Sequence, residues 1–516
     1  MGFCQELGDS AKIDTETGVT GIQRGFVKTG NRGSQLTVHR VGVMGLLLAM
    51  GLLPSLSAYA VRMQGSLRTH LYLREDRLDD PIEEFFMPVR QYLTLHVDEL
   101  NAPGWSFHGS GWVRQDLGDR SDYTQITYDS RLESELLTGY LEWRDPKMPA
   151  TYARFGRQYV FWSGINERFD GATYSKELPS GNGYAIFGGI PAFSDYGGKS
   201  EDLVGGGRVW FRPLDSSELG FSYAKREDDG DLAREVFNQD FYWRPFYFWE
   251  LEQHMSYDTI TDQIVELGLY SGLEFHPKAK FTVSYNETIP GALLPSTSLL
   301  SVFSNDKIQE TAFGLDFYPS SDLRFWSEAV YYDSRSPGGT IERHHVQGKG
   351  YWEFVLGGRT YYGDDATVSL ELRHLQPPEQ GVPFIENDAR YESIDNGYDR
   401  LRFTTHRWFN DWCWQSLELG ATYYRDRVND SPHSFDASWS CGYRPRKQLE
   451  AVATLRYIDS AVDNTEIQAL LSVTYWFDKR MENGGTVDLY EQRDPREKRW
   501  LPQTALPTSI YWGDDR

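Results

Sequence analysis

From Arg62 onward the chain repeats one unit, a segment of about ten residues of alternating polarity closed by a turn. In TVSLELRHL, Val368, Leu370 and Leu372 share one face while Ser369, Glu371 and Arg373 share the other. In LEAVATLRYI, Leu449, Ala451, Ala453, Leu455 and Tyr457 lie opposite Glu450, Thr454 and Arg456. Strand side chains alternate with period two, so each segment carries one apolar and one charged face. A soluble sandwich would bury the apolar face against a second sheet and show less charge on the polar one. Here the charged face recurs strand after strand, as the wall of a water-filled barrel in lipid requires.

The turns alternate in character as well. Odd-numbered gaps read as long and acidic: EDRLDDPIEEFF (75–86), DLGDRSDYTQ (116–125), PGALLPSTSLLSVFSNDK (290–307) and PPEQGVPFIENDARYESIDNG (377–397). Even-numbered gaps are short and bear Pro or Gly, as in NAPG (101–104), DPKMP (145–149), RPLDSS (212–217), HPKAK (276–280) and GDD (363–365). The fold class expected is all-β, an antiparallel transmembrane β-barrel. The strand count is 20 if residues 227–275 hold a single descending strand. It is 22 if REVFNQDFYW and FYFWELEQHMSYD form a hairpin around Arg244-Pro245, and that Arg-Pro matches the other short turns. Both counts are even, so both barrel ends fall on the periplasmic side.

Three parts of the chain follow. Val41 to Tyr59 is an apolar run after His39 and Arg40 that ends in Ala58-Tyr59-Ala60, the pattern of a secretory signal, so residues 1–60 are expected to be a signal peptide with an N-terminal extension. The run is short for a membrane span and is broken by Pro54. Residues 61–477 are the expected barrel. Its last segment, EIQALLSVTYWF, puts Ile467, Ala469, Leu471, Val473, Tyr475 and Phe477 on one face and ends in aromatics, like a closing strand read by the outer-membrane assembly machinery. Residues 478–516, of mixed charge, are expected to form a periplasmic tail. With the barrel beginning so soon after the signal, no plug domain is expected. A bore of this strand number then needs infolded loops or another protein to narrow it.

Composition excludes several classes. Aromatics make up 15% of the chain, the mean hydropathy is −0.56 and the formal charge is −23, too aromatic for a disordered chain and too polar for a helical membrane protein. Such acidity argues against nucleic acid and suits cations, basic proteins or a surface bathed in divalent ions. Past the signal only Cys413 and Cys441 remain, with no C-x-x-C-H and no zinc-type spacing, so no cofactor or metal is expected from this chain alone. The two cysteines flank a hairpin with its midpoint at residue 427 and share a face. They are expected either to be direct cross-strand neighbours joined by a disulfide or to be two lipid-facing thiols.

The stretch YARFGRQYVFWSGINERFDGATYSK (152–176) reads as a strand, a tight connection through Trp162 to Ile165, and a returning strand. Its Gly156-Arg157-Gln158 then sits on a wall, with no strand-to-helix phosphate loop. Arg154 and Gln158 face inward, and Arg157 breaks that alternation unless Gly156 carries a bulge. On the returning strand Arg168, Asp170 and Tyr174 are expected inward. Arg154 and Asp170, equidistant from residue 162, are expected to pair. Elsewhere the inward acids Glu266, Asp316, Glu371, Glu418, Asp436, Glu450 and Glu466 outnumber inward Arg373 and Arg456. That excess reads either as a cation-attracting lumen or as the solvation of a wet wall. His344-His345 and REDDGD (226–231) read as solvated loops before metal sites, and serine and histidine are too scattered to nominate a hydrolytic set.

FGRQYVFWSGINERFDGATYSKELPSGNGYAIFGGIP resembles the G-R-Q … F-D-G … G-G-x-P pattern of porin-like barrels in alginate-export-type families and of the barrels in porin–cytochrome electron conduits. QYLTLHVDEL and WSFHGSGWVRQDL are similar to strands of such proteins. The resemblance implies an outer-membrane protein of a Gram-negative bacterium, a passive pore or a sheath, with no catalytic residues to carry over. The function expected is a channel for hydrophilic solutes through an acidic lumen, in contact with outer-membrane lipid. The alternative is a barrel that holds a periplasmic multihaem cytochrome.

Overall fold

The computed structural model describes residues 61–76, 84–100, 103–117, 132–162, 164–192, 202–289, 307–335, 351–363, 365–376, 397–428, 431–461, 465–482 and 485–489. Residues 1–60, expected to be the signal, His344-His345 and residues 490–516 lie outside the described residues. The strands run in chain order as β1 (Val61–Asp76), β2 (Glu84–Phe86), β3 (Pro88–Asp98), β4 (Trp105–Asp116), β5 (Leu132–Arg144), β6 (Tyr152–Trp162), β7 (Ile165–Glu177) and β8 (Gly183–Pro191). They continue as β9 (Leu203–Phe211), β10 (Ser217–Asp228), β11 (Asp231–Phe246), β12 (Trp249–Asp258), β13 (Gln263–His276), β14 (Ala279–Thr288), β15 (Lys307–Ser320) and β16 (Leu323–Arg335). The last are β17 (Tyr351–Tyr362), β18 (Ala366–Gln376), β19 (Tyr398–Asn410), β20 (Cys413–Val428), β21 (Ser431–Arg446), β22 (Leu449–Asp459), β23 (Glu466–Glu482) and β24 (Gly485–Asp488).

Of these 24 strands, β2 and β24 are short appendages paired only to β1 and β23; the other 22 form the wall. Each pairs antiparallel with its neighbours in sequence, and β1 closes the sheet on β23 over sixteen residue pairs, from Val61 opposite Met481 to Asp76 opposite Glu466. β11 and β12 do form a hairpin in this region, and the count of 22 follows, but its turn is residues 247–248; Arg244-Pro245 lie inside β11, at a register irregularity between Trp243 and Phe246. Twenty-two strands about 4.8 Å apart and tilted by about 40° make a barrel roughly 44 Å across between backbones.

The strand period decides which side chains meet lipid. Phe155, Phe237, Phe313, Leu356, Leu372 and Leu455 are exposed large hydrophobics on the outside, while inner-face neighbours such as Asn238, Glu353 and Gln468 are buried. Tyr247, Phe275, Phe317, Tyr362, Trp412 and Tyr443 gather near the short turns as an exposed aromatic rim, the pattern of a membrane interface. A concavity of about 1030 Å³ lined by Phe281, Phe313, Phe354, Leu372 and Leu401 belongs to this outer belt and not to the bore.

The alternation of short and long connections holds at the short-turn end and only partly at the other. The connections after β6, β10, β12 and β20 are residues 163–164, 229–230, 259–262 and 429–430. REDDGD closes one of them, with Asp229 and Gly230 both at positive φ (54° and 83°), as a two-residue hairpin turn demands. Its acidic oxygens are engaged locally: Arg226 Nε donates to Asp228 at 2.8 Å. Among the described residues no group of three or more His, Cys, Asp or Glu is placed to hold a metal ion.

Two registers differ from the sequence expectation. Cys413 lies opposite Tyr443 and Cys441 opposite Gln415, so the cysteines share a face but sit two residues out of register, and both are free. Diagonal positions of this kind are about 7–8 Å apart, beyond disulfide reach. The turn joining β20 and β21 is centred past residue 427, and a register irregularity between Tyr423 and Val428 takes back part of that shift, leaving the two-residue offset at the cysteines.

Candidate functional site: a lumen entered by its own hairpin

Along their strands Arg154, Glu266, Asp316, Glu371, Arg373, Glu418, Asp436, Glu450, Arg456 and Glu466 alternate with outward residues such as Phe155, Leu315, Leu372, Leu417, Phe435, Leu455 and Ile467. Asp170 keeps different company from the expected Arg154. The β6–β7 turn occupies residues 163–164, with Gly164 at φ 66°, so Arg154 faces Thr173 and Asp170 faces Arg157. The register is an odd number of residues from the expected one, so Asp170 shares a face with Arg157 and Arg168 and not with Arg154. Arg157 grips Asp170 through two bonds of 2.8 and 2.7 Å, and Arg154 instead pairs with Glu142 on β5 at 2.6 Å.

The acids of the bore are not bare. Asp316 meets Arg324 at 2.5 Å, Glu418 meets Arg402 at 2.5 Å, Asp436 meets Arg400 at 3.2 Å and Glu450 meets Arg444 at 3.2 Å. Arg373 lies between Glu353 at 3.2 Å and Glu371 at 3.5 Å, and Glu266 faces His254 at 3.4 Å. Sequence reading missed Arg324, Arg400, Arg402 and Arg444, although the alternation in YDRLRFTTHRW already puts Arg400 and Arg402 on the charged face. Aromatic rings share this face: Arg154 stacks over Tyr152 at 4.5 Å, Arg324 over Trp326 at 5.4 Å and Arg444 over Trp408 at 5.4 Å.

The stretch 152–176 is wall for half its length only. The β5–β6 ladder ends at Gly139 opposite Arg157, and the β7–β8 ladder ends at Phe169 opposite Pro191. The β6–β7 ladder runs on to Trp162 opposite Ile165. Residues 160–167 therefore pair only with one another. Their tip reaches the inner face of strands four and five positions further round the wall. Arg234 of β11 donates to the Gly164 carbonyl at 2.9 Å and to Glu167 at 3.1 Å. A Cβ on Gly164 would lie 2.1 Å from Ser256 Oγ and 2.2 Å from Asn238 Oδ1.

The hairpin is seated by an apolar core. Val160, Ile165 and Phe169 pack on Phe187, Val204, Ala224 and Val236 of β8 to β11, with Trp162 against them. Phe169 has no exposed surface and Ile165 only 2%, and burying such side chains contributes about 1.5–3 kcal/mol each. Glycine permits the departure from the wall. Gly156 has φ 123°, and a Cβ there would meet the Gly139 carbonyl at 2.3 Å. Gly171 and Gly189 face each other so closely that a Cβ on either would come within 2.9 Å of the other's Cα. Gly156 carries no bulge: neither ladder shifts register there. Arg157 keeps its outward alternation, and the tilt of the hairpin turns that face to the bore. Arg168 on the same face meets Glu135 of the β5 inner face at 2.6 Å, and Phe161 beside it is 68% exposed.

Fold and bore define the class: an all-β, 22-strand transmembrane barrel whose lumen is entered by one of its own hairpins. Among the described residues there is no separate plug domain. No family model matches the sequence, and no curated protein matches it. Solved structures with a similar architecture include OccAB4 of Acinetobacter baumannii (10% identity, TM-score 0.41, covering 81% of this chain and 98% of that one). The outer membrane proteins OpdK (9%, 0.39, 81% and 98%) and OprD (9%, 0.38, 81% and 93%) of Pseudomonas aeruginosa are similar to the same degree. Likenesses at this level assign neither family nor cargo, and the resemblance to alginate-export and conduit barrels is not shown by them.

Proposed function

We propose that the protein is a passive channel of the Gram-negative outer membrane for small hydrophilic solutes, its bore restricted by the β6–β7 hairpin. The observation that carries this reading is the hairpin itself, seated on the inner wall by seven buried apolar residues and by Arg234. A second layer of sheet occupies about 10 Å of the width it covers. The rest of the inner face is polar and charged, as a wet passage needs, and the outer face is apolar. Because the acids Asp316, Glu418, Asp436 and Glu450 each meet an arginine, the lumen acts as a set of paired charges with a modest cation preference inherited from the acidic chain. A sheath around a multihaem cytochrome needs a clear bore, and the hairpin stands in it; that favours the channel over the sheath.

The test is single-channel recording of the purified, folded protein in planar bilayers. Ohmic conductance with weak cation selectivity supports the reading. A folded barrel that inserts and passes no ions, with or without its hairpin, overturns it.

A further inference from the structure

Near the short-turn end of the bore, away from the hairpin, two histidines face each other across adjacent strands. His96 of β3 and His108 of β4 are directly opposed in register, and both lie on the inner face, alternating with Leu95, Val97 and Phe107. Their Nδ1 atoms are 2.8 Å apart and their ring centroids 4.0 Å apart. Each ring is held from behind. His96 Nε2 bonds Asp98 Oδ1 at 2.5 Å, and His108 Nε2 bonds Ser106 Oγ at 3.0 Å. Tyr140 stacks on His108 with centroids 4.7 Å apart and planes 13° apart. Both rings line a cavity of about 430 Å³, whose wall also has oxygen-bearing Gln64, Thr138 and Tyr140 and, on its apolar side, Trp476 and Phe477.

The proton positions follow from the partners. An ionised Asp98 only accepts, so His96 carries its proton on Nε2 and presents a lone pair at Nδ1. His108 then donates from Nδ1, and its Nε2 accepts from the Ser106 hydroxyl. One tautomer change inverts this: with the proton of His108 moved to Nε2 and the Ser106 hydroxyl turned to accept it, neither Nδ1 carries a proton and both lone pairs are free to take a cation in place of the shared hydrogen. No net proton is gained or lost, because a hydroxyl serves equally as donor and acceptor.

We propose that His96 and His108 form a two-imidazole binding site for a tetragonal divalent cation, Cu²⁺ or Ni²⁺, inside the bore. Two nitrogens in adjacent corners of a square-planar centre, each about 2.0 Å from the metal, lie about 2.8 Å apart, whereas a tetrahedral centre sets them at roughly 3.3 Å. The 2.8 Å of the present hydrogen bond is also the separation of the square arrangement, so a tetragonal cation can replace the shared proton without moving the two nitrogens apart. Asp98 and Ser106 supply the outer hydrogen bonds that fix the orientation of ligating imidazoles. The cavity they line leaves room for waters to complete the coordination. The protein provides two ligands and no more, so the site takes up and releases its cation, as a position along a passage must. Binding stands independently of whether the barrel conducts.

The experiment is Cu²⁺ titration of tag-free, full-length folded protein in detergent, read by calorimetry and by electron paramagnetic resonance, with Ni²⁺ as a second probe. The expected result is one Cu²⁺ per barrel with hyperfine structure from two nitrogens. H96Q and H108Q should each weaken binding at least tenfold, Asp98→Asn by about ten- to a hundredfold, and His254→Gln not at all. Folding of each variant is checked by its heat-dependent shift on gels, and the wild-type spectrum needs no variant. Absence of nitrogen hyperfine structure, or equal affinity in the H96Q/H108Q double variant, overturns the proposal.

Discussion

Removing the inward hairpin is the perturbation that speaks most directly to the bore. Replacing residues 158–169 with Asn-Gly joins Arg157 to Asp170, already opposite each other, by a two-residue turn suited to a hairpin. The six pairs from Tyr152–Ser175 to Arg157–Asp170 stay in the wall. A barrel roughly 44 Å across between backbones, less about 5 Å of side chain on each side, leaves an opening of about 900 Å². Five residues of each hairpin strand at about 3.3 Å, in a layer about 10 Å thick, block about 170 Å² of it. Single-channel conductance should therefore rise by about a quarter in 1 M salt, and by more wherever other loops share the opening. Unchanged conductance from a folded variant would show that the hairpin lies outside the conducting path and would refute the reasoning.

Gly164→Ala should unseat the hairpin tip, because its Cβ would collide with Ser256 and Asn238, and recordings should show flicker between the wild-type and hairpin-deleted levels. Arg234→Ala breaks a mostly buried pair with Glu167, a loss of about 3–5 kcal/mol of docking free energy, and should give the same flicker with the apolar core intact. Glu450→Gln leaves the largely buried Arg444 without its carboxylate and should move the reversal potential in a low-salt gradient toward anions; no movement would place Arg444 away from the ion path. Alkylation of the denatured, unreduced protein should label both Cys413 and Cys441, and failure to label them would contradict the two-residue offset.

What the sequence determined by itself is what repeats locally. The period of two fixes which residues meet lipid and which meet water, and it is legible in TVSLELRHL and LEAVATLRYI without any partner strand. The Pro- and Gly-bearing turns marked one end of the barrel, and Arg244-Pro245 pointed to 22 strands over 20, although the turn itself lies two residues further on. Register was beyond that reach, because it depends on where each turn is centred. Three residues of difference in the sum of paired positions gave Asp170 the partner Arg157 instead of Arg154, and two residues separated Cys413 from Cys441. Only the tertiary structure decided that half of the 152–176 hairpin leaves the wall. That outcome depends on contacts such as Arg234 with Glu167, 67 residues apart, and Arg234 with Gly164, 70 apart, and on glycines 139, 156, 171 and 189 meeting across strands. Local alternation in FGRQYVFW is the same whether the strand lines a wall or packs across a bore, since both surroundings present one apolar and one polar side. The choice between them is made by what lies opposite in space, which a period along the chain does not encode.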